Sequence, residues 1–192
     1  MRESVLHTQP GCRALAPAAD LRYLRATTHA DCAAVVELVG ACSPQTLGRR
    51  FLLPGIDATR VLGGYLRFLL PASGGEALLA SVDGCPAGLL TVFRYGPCRA
   101  EIALLVPDRW QRRGIGTQLV RFARGALAGR RIHATVHSTN VGSRALLRLL
   151  GQPLQGGASA PGQLDYEFVL SPDEGDRPTA RPRVRRSPRC RG

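Results

Sequence analysis

A short segment rich in Arg and Gly has residue types suited to binding an anion. It runs from Arg109 to Thr117 and reads Arg-Trp-Gln-Arg-Arg-Gly-Ile-Gly-Thr. An apolar run that predicts a strand precedes it, and an amphipathic pattern that predicts a helix follows. A helix N-terminus offers unpaired N–H groups and a partial positive charge. Glycines let a phosphate approach the backbone, and arginines suit phosphate oxygens. The segment therefore predicts a phosphate-binding turn.

Two other glycine-loop motifs do not fit this segment. A dinucleotide-binding fingerprint needs a third Gly or an Ala where Leu119 stands. A P-loop needs a Lys, and all 26 cationic side chains of this chain are Arg. The net charge of +12 favours anionic partners in general and does not choose among nucleic acid, lipid headgroups and a phosphorylated cofactor.

Hydrophobic periodicity around the segment predicts a mixed α/β domain. Strands are expected at 21–25, 77–82, 87–93, 101–106, 131–137 and 164–170. Helices are expected at 31–40, after Ser43-Pro44, and at 57–70, 114–128 and 141–150. Asp83-Gly84 is typical of a hairpin turn, whereas the later strand–helix–strand succession implies a parallel crossover within the same sheet.

Composition suggests one folded domain with two tails. Residues 20–170 carry the periodic patterns, and 192 residues are too few for two full domains. Residues 1–19 lack periodicity and are predicted to be a loose leader. Residues 171–192 hold seven Arg against three acids, with interspersed Pro, and are predicted to be a disordered tail.

The motifs resemble those of the GNAT superfamily of N-acetyltransferases. Residues 111–116, Gln-x-x-Gly-x-Gly after a strand that ends in Val106, resemble the family's coenzyme A pyrophosphate loop. Residues 140–151 resemble its Asn-x-x-Ala/Ser helix that closes with Leu-Gly. The order of elements over residues 20–170 also agrees. The resemblance implies a central mixed sheet, mostly antiparallel, with one splayed parallel strand pair and flanking helices.

The resemblance also implies acetyl-CoA as co-substrate and no metal. The backbone of the strand before the loop would pair with the pantetheine arm, and the N–H groups of the loop would hold the pyrophosphate. Asn140 and Ser143, at the start of the later helix, would flank the pantetheine and the phosphate side. The implied cofactor-binding residues are Leu104, Leu105, Val106, Gln111, Arg112, Arg113, Gly114, Ile115, Gly116, Thr117, Asn140 and Ser143.

Amine acetylation needs an uncharged amine, so a positioned base is useful. A lysine-like amine with a pKa of ~10.4 costs roughly 4.6 kcal/mol to deprotonate at pH 7. Glu101, on the strand that feeds the loop, resembles the Glu that many members use as this base. The alternative is a strand-edge carboxylate paired with an Arg such as Arg99. A backbone N–H near Val106 would stabilise the oxyanion.

Leu147 departs from the common family pattern, because many members have there a Tyr that protonates the departing thiolate. Some bacterial protein-lysine acetyltransferases also have an apolar residue at this position, and in motif style the chain is closest to them. We expect an N-acetyltransferase acting on a protein lysine, a protein N-terminus or a small-molecule amine. A non-catalytic acyl-CoA sensor is the alternative, and a basic nucleic-acid-binding module is a third possibility that we do not favour.

Other residues carry weaker signals. His133 and His137 share a strand face, but no cluster completes a metal site, so two polar strand residues are expected. The six Cys lack framework spacing, which predicts reduced thiols. No export signal and no membrane span are inferred. We therefore expect a cytoplasmic protein. We also expect it to be a monomer or a homodimer.

Overall fold

The computed structural model describes residues 21–26, 32–71 and 74–170. The predicted leader and tail, 1–19 and 171–192, lie outside these ranges. Seven strands are described: β1 (Leu21–Ala26), β2 (Gly75–Val82), β3 (Cys85–Tyr95), β4 (Arg99–Leu105), β5 (Arg131–His137), β6 (Gln155–Ala160) and β7 (Gln163–Val169). The described α helices are α1 (Cys32–Gly40), α2 (Pro44–Phe51), α3 (Ala58–Gly64), α4 (Ile115–Ala126) and α5 (Val141–Leu147).

One mixed sheet contains all seven strands, in the order β1-β2-β3-β4-β5-β7-β6. Every neighbouring pair is antiparallel except β4 and β5, which are parallel. These two strands pair only from Arg99–Arg131 to Glu101–His133, while β4 stays paired with β3 through Leu105. The two strands therefore separate after Glu101. The fold class expected from the sequence, including the splayed parallel pair, is confirmed.

The two faces of the sheet carry different helices and separate apolar clusters. Helices α4 and α5 cover one face, where Ile102, Leu119 and Ile132 belong to a buried cluster. Helices α1 to α3 cover the other face, where Leu47 and Leu105 belong to a second cluster. Residues of β4 alternate between these clusters, as the two-residue period of a strand requires. None of the helices in the described ranges is long and apolar enough to cross a membrane.

Two elements differ from the sequence predictions. The helix predicted over 57–70 ends at Gly64, and a short 3₁₀ helix, Leu66–Phe68, follows it. Gly63 and Gly64 are poor helix formers, which explains the break. Strand β6 was not predicted, because Gln-Gly-Gly-Ala-Ser-Ala shows no apolar alternation. It forms by antiparallel pairing with β7.

The described cysteines are of two kinds. Cys32, Cys42 and Cys98 are free thiols, whereas Cys85 is disulfide-bonded. The expectation that all thiols are reduced was therefore wrong. Burial, assisted by the negative charge of Asp108, raises the pKa of Cys42 to about 12. This buried thiol is thus protonated at neutral pH.

Helix α4 packs unusually close to the sheet at Gly88 on β3. A Cβ added to Gly88 would lie 2.8 Å from Cγ2 of Ile115 and 3.0 Å from Cδ1 of Leu119. Ile115 is the first residue of α4, so this contact sets the height of the helix N-terminus above the sheet. Glycine is needed here because the core is already filled.

A second tether joins α2 to the turn between β4 and α4. The carboxylate of Asp108 accepts hydrogen bonds from the Ser43 N–H (2.7 Å), the Ser43 hydroxyl (2.8 Å) and the Thr46 hydroxyl (2.8 Å). The hydroxyl of Ser43 also accepts a bond from the Thr46 N–H and so caps α2. Partial burial raises the pKa of Asp108, but the hydrogen bonds from Ser43 and Thr46 outweigh it, and the net pKa lies below its ordinary value.

The contact at Gly88 predicts that Gly88→Ala destabilises the protein by about 1–3 kcal/mol, because the added methyl group overpacks the α4 interface. Gly125→Ala, in α4 with no atom within 4 Å of its Cβ position, is the control and should stabilise by about 0.5–1 kcal/mol. Urea denaturation of both variants checks this. An unchanged midpoint for Gly88→Ala would show that α4 does not approach the sheet so closely.

The lowered pKa of Asp108 predicts a pH-dependent stability. The ionised carboxylate stabilises the folded state above the unfolded pKa of ~3.9, and this contribution is lost as pH falls through the lower folded-state pKa. Asp108→Asn should therefore cost about 1 kcal/mol at pH 7 and progressively less below about pH 4. Thermal unfolding from pH 3 to 7 measures the difference. Asp83→Asn, in the exposed β2–β3 turn, controls for charge removal. A cost that stays constant across this pH range would contradict the tether.

Candidate functional site

A cleft of about 310 Å³ follows the opening between β4 and β5 and reaches both helical layers. One wall is formed by residues 102–105 of β4 and by Val106, which follows the strand, and the other by residues 134–136 of β5. On one side of the sheet it reaches the N-termini of α4 and α5. On the other side it reaches Thr46, Arg49 and Arg50 of α2. Because β4 and β5 no longer pair in this stretch, the edge of β4 faces the cleft without β5 as a hydrogen-bonding partner.

The N-terminus of α4 presents free donors to this cleft. Its N-cap residue Gly114 has φ = 82°, and no side chain caps the helix. The Gln118 N–H makes the first bond of the helix, to the Gly114 carbonyl. Within the described ranges, no residue accepts a hydrogen bond from the N–H groups of residues 112–117. These donors and the positive end of the helix dipole form an anion-binding end.

Backbone conformation explains the residue types of the loop. Arg112 has φ = 58°, a left-handed conformation that costs a non-glycine residue about 1–3 kcal/mol and is often found at ligand sites. Gly114 supplies the second positive φ without this cost. Gly116 has another role, because a Cβ there would lie 2.8 Å from Cδ1 of Leu146 in α5. The sequence predicts that a phosphate approaches Gly116, which lines the cleft, and the same glycine also permits close packing of α4 and α5.

Gln111 braces the loop. Its side-chain amide donates to the Val106 carbonyl and to the Thr46 hydroxyl, both at 3.1 Å. Its backbone N–H donates to the Asp108 carbonyl at 3.2 Å. The free N–H groups of the loop therefore begin at Arg112. Through Gln111 and Asp108, the α4 loop is fixed to α2 across the end of β4.

The structure brings most of the predicted cofactor-binding residues together. Ten of the twelve line the cleft: Leu104, Leu105, Val106, Gln111, Arg112, Gly114, Gly116, Thr117, Asn140 and Ser143. Arg113 and Ile115 do not line it. The guanidinium of Arg113 stacks on Trp110, with its central carbon 5.3 Å from the ring centroid. The side chain of Ile115 is buried between α4 and the sheet. The side-chain oxygen of Asn140 accepts from the Ser143 N–H at 3.1 Å and so caps α5.

Sequence reasoning missed the residues that line the cleft from α2. Thr46, Arg49 and Arg50 belong to no motif, and a single helix pattern does not reveal which face meets the opening. Thr135 of β5 was also missed. The charge pattern could have indicated an anion-binding position, because Arg49 and Arg50 are the two charged residues of α2 and stand together in its last turn.

Unsatisfied donors are concentrated at this cleft. Within the described residues, two buried side-chain polar atoms have no hydrogen-bond partner, Arg50 Nε and Trp110 Nε1. Both residues line the cleft. Buried polar groups are nearly always paired in native proteins, and an orphan costs about 1–3 kcal/mol. A polar ligand in the cleft would satisfy donors that the protein alone does not.

Glu101 lies beside the cleft rather than in its wall. It immediately precedes Ile102, the first cleft-lining residue of β4, and its register places it on the α1–α3 face next to His133. Its carboxylate accepts a hydrogen bond from the Tyr95 hydroxyl at 3.1 Å. Burial, followed by the charge and hydrogen bond of Glu101, raises the pKa of Tyr95. In the described structure Glu101 forms no ion pair with Arg99 within 4.0 Å.

Leu147 and the two histidines have ordinary surroundings. Leu147 is 6% exposed, belongs to the core cluster under α4 and also lines the cleft. His133 Nε2 lies 3.8 Å from the carboxylate of Asp165, and His137 Nδ1 lies 2.9 Å from the Thr139 hydroxyl. No group of three His, Cys, Asp or Glu side chains able to hold a metal ion occurs in the described ranges.

Solved structures with this fold include known and putative acetyltransferases. The GNAT domain of S. lividans PAT aligns with a TM-score of 0.61 at 21% identity, over 78% of this chain and 89% of that domain. Spermidine N-acetyltransferase from Vibrio cholerae, solved with CoA and spermine, aligns with a TM-score of 0.60 at 14% identity, over 79% and 95%. A putative acetyltransferase from Salmonella typhimurium, solved with acetyl-CoA, aligns with a TM-score of 0.52 at 22% identity, over 84% and 99%. At these identities the likeness shows a shared fold.

Sequence comparison supplies the family. No protein with curated annotation matches the chain significantly. The sequence model of the acetyltransferase (GNAT) family matches residues 55–152, from the loop before α3 to the end of the α5 segment. This match covers just over half of the chain and includes the whole β4–α4–β5–α5 unit that forms the cleft. The chain belongs to the GNAT family of acetyltransferases.

Proposed function

We propose that the protein transfers an acetyl group from acetyl-CoA to a primary amine. The observation that carries this proposal is the cleft itself, which joins an unpaired strand edge to an uncapped helix N-terminus. The first suits the amide groups of a pantetheine arm, and the second suits a pyrophosphate. Family membership and the fold shared with acetyltransferases support the same reading.

The donor would lie along the α4 side of the cleft. The N–H groups of residues 112–117 would bind the pyrophosphate, and Arg112 adds positive charge at the same end. The edge of β4 from Leu104 to Val106 would pair with the pantetheine amides. Asn140 and Ser143, at the start of α5, would flank the arm. The thioester would then lie in the opening between the strands, with access to the α2 side.

The reaction is direct attack on the thioester. The amine nitrogen forms a bond to the acetyl carbon, the carbon–sulfur bond breaks, and the electron pair leaves with the sulfur of CoA as a thiolate. A cationic amine must first lose one proton, and the neutral nitrogen that then attacks loses a second proton as the amide forms. A backbone N–H at the end of β4 would stabilise the oxyanion, although Pro107 has no N–H to contribute.

Glu101 is the proposed base. Its position one residue before the cleft wall, on the face that α2 covers, lets it receive the amine proton directly or through a water molecule. Leu147 cannot protonate the thiolate. A thiolate is a tolerable leaving group near neutral pH because the thiol pKa is only ~8.5, so solvent can supply that proton.

Leu147 also motivates a second candidate, a sensor that binds acyl-CoA without turnover. The apolar residue lines the cleft where many family members have a proton donor. The two candidates share the donor site and differ in what happens when an amine is added. A single series of measurements separates them.

We predict that Glu101→Gln lowers kcat/KM for acetyl transfer by about 10²–10⁴, because the amine loses its base. The variant should recover partly as pH rises, since more of the amine is then neutral without help. CoA thiol release from acetyl-CoA, measured from pH 6 to 10 with a panel of amines and peptides, records both effects.

Glu37→Gln, on the exposed face of α1, is the matched control and should retain full activity. A fully active Glu101→Gln enzyme with an unchanged pH profile would remove Glu101 from the mechanism. Acetyl-CoA binding without thiol release across the whole panel would favour the sensor over the enzyme.

A further inference from the structure

We propose that Arg50, assisted by Arg49, binds a carboxylate carried by the acceptor, so that the substrate class is small amines that also bear a carboxylate group. This inference rests on the proposed acetyltransferase function and names the acceptor of the same cleft. Its starting point is the α2 end of the cleft, which the donor would not fill.

Arg50 is held in place, yet part of its hydrogen-bonding capacity is unused. Its guanidinium lies over the Phe51 ring, with the central carbon 5.0 Å from the ring centroid. One terminal nitrogen donates to the Phe68 carbonyl at 3.0 Å. Its Nε is shielded from water and has no partner. A guanidinium has five N–H donors in a rigid fork that matches a carboxylate, so a fixed Arg with an unpaired Nε suits such a ligand.

The charges around this end of the cleft are unbalanced. Arg49, Arg50 and Arg112 line the cleft, and the described lining contains no carboxylate. Arg50 makes no ion pair within 4.0 Å among the described residues. Burial lowers the pKa of its guanidinium to about 10, and the negative charge of Glu101 partly offsets that lowering. It is therefore cationic at neutral pH. A partly buried cation with no ion-pair partner in contact is costly, and an anionic ligand that contacts it would offset that cost.

Position assigns this anion to the acceptor rather than to the donor. The free N–H groups and Arg112 lie at the α4 loop, whereas Arg49 and Arg50 end α2, which packs on the opposite face of the sheet. Glu101 lies on that same face, and its field reaches Arg50. An acceptor with its amine near Glu101 and its carboxylate at Arg50 would match both charges. A polyamine would place further positive charge beside the two arginines.

The test compares matched acceptors on one protein sample. The probes are L-amino acids, free and as their carboxamides, with spermidine and a lysine peptide as amines that lack a nearby carboxylate. Thiol release from acetyl-CoA gives kcat/KM for each. The free carboxylate should be preferred by about 10- to 100-fold, the range of a charge-assisted hydrogen-bonded pair. The carboxamides have the less basic amine, so intrinsic reactivity works against this result.

Arg50→Gln should reduce the preference to one or below, and Arg50→Lys should retain part of it. The ratio of two acceptors does not depend on the folded fraction, so loss of the bond to Phe68 does not confuse the result. Arg67→Gln is the matched control, because Arg67 stacks similarly on Phe68, with its central carbon 4.8 Å from the ring centroid, but does not line the cleft. It should keep the wild-type ratio.

The failures are distinguishable. Thiol release that shows no carboxylate preference in the wild type, or a preference that Arg50→Gln leaves intact, overturns this inference and leaves acetyl transfer standing. An absence of thiol release with every amine overturns the enzymatic function and this inference with it.

Discussion

The separation of β4 from β5 after three residue pairs is the constraint on which the site depends. A strand in the middle of a sheet normally has both edges paired, because unpaired backbone groups buried away from water cost about as much as a lost hydrogen bond. Here β3 keeps one edge of β4 paired through Leu105 while the other edge opens into a cleft. A ligand with amide groups of its own can complete the sheet there.

The rest of the structure keeps this opening in place. Gly88 lets α4 lie close to β3, so that its N-terminus meets the end of the opening. Gln111 and Asp108 connect the α4 loop to α2. One hydrogen-bonded network therefore holds both the α4 loop, where the donor is proposed to bind, and α2, where the acceptor is proposed to bind. Helix α2 packs across the face where β4 and β5 separate. Replacing an arginine of the loop would weaken binding of the donor, whereas replacing an arginine of α2 would weaken binding of the acceptor, because the two sets of arginines lie on opposite faces.

Local patterns predicted what local physics controls. The strand–loop–helix around residues 106–117 and the helix that begins at residue 141 were recognisable, because glycines and hydrophobic periods are properties of neighbouring residues. The parallel pairing of β4 and β5 followed from the strand–helix–strand succession, and only their splaying came from resemblance to a family. The packing of Gly116 against Leu146 could not be predicted, because Leu146 is distant in sequence. Arg50 and Thr46 were missed for the same reason, since only the packing of α2 brings them to the cleft.

Hydrogen exchange of backbone amides, with and without acetyl-CoA, tests the central claim most directly. The account predicts slower exchange in two short stretches, residues 104–106 and 112–117, with little change in the β2–β3 turn around Gly84. Saturating acetyl-CoA that leaves both stretches exchanging at their free rates would contradict the claim that the unpaired edge of β4 and the start of α4 form the donor site.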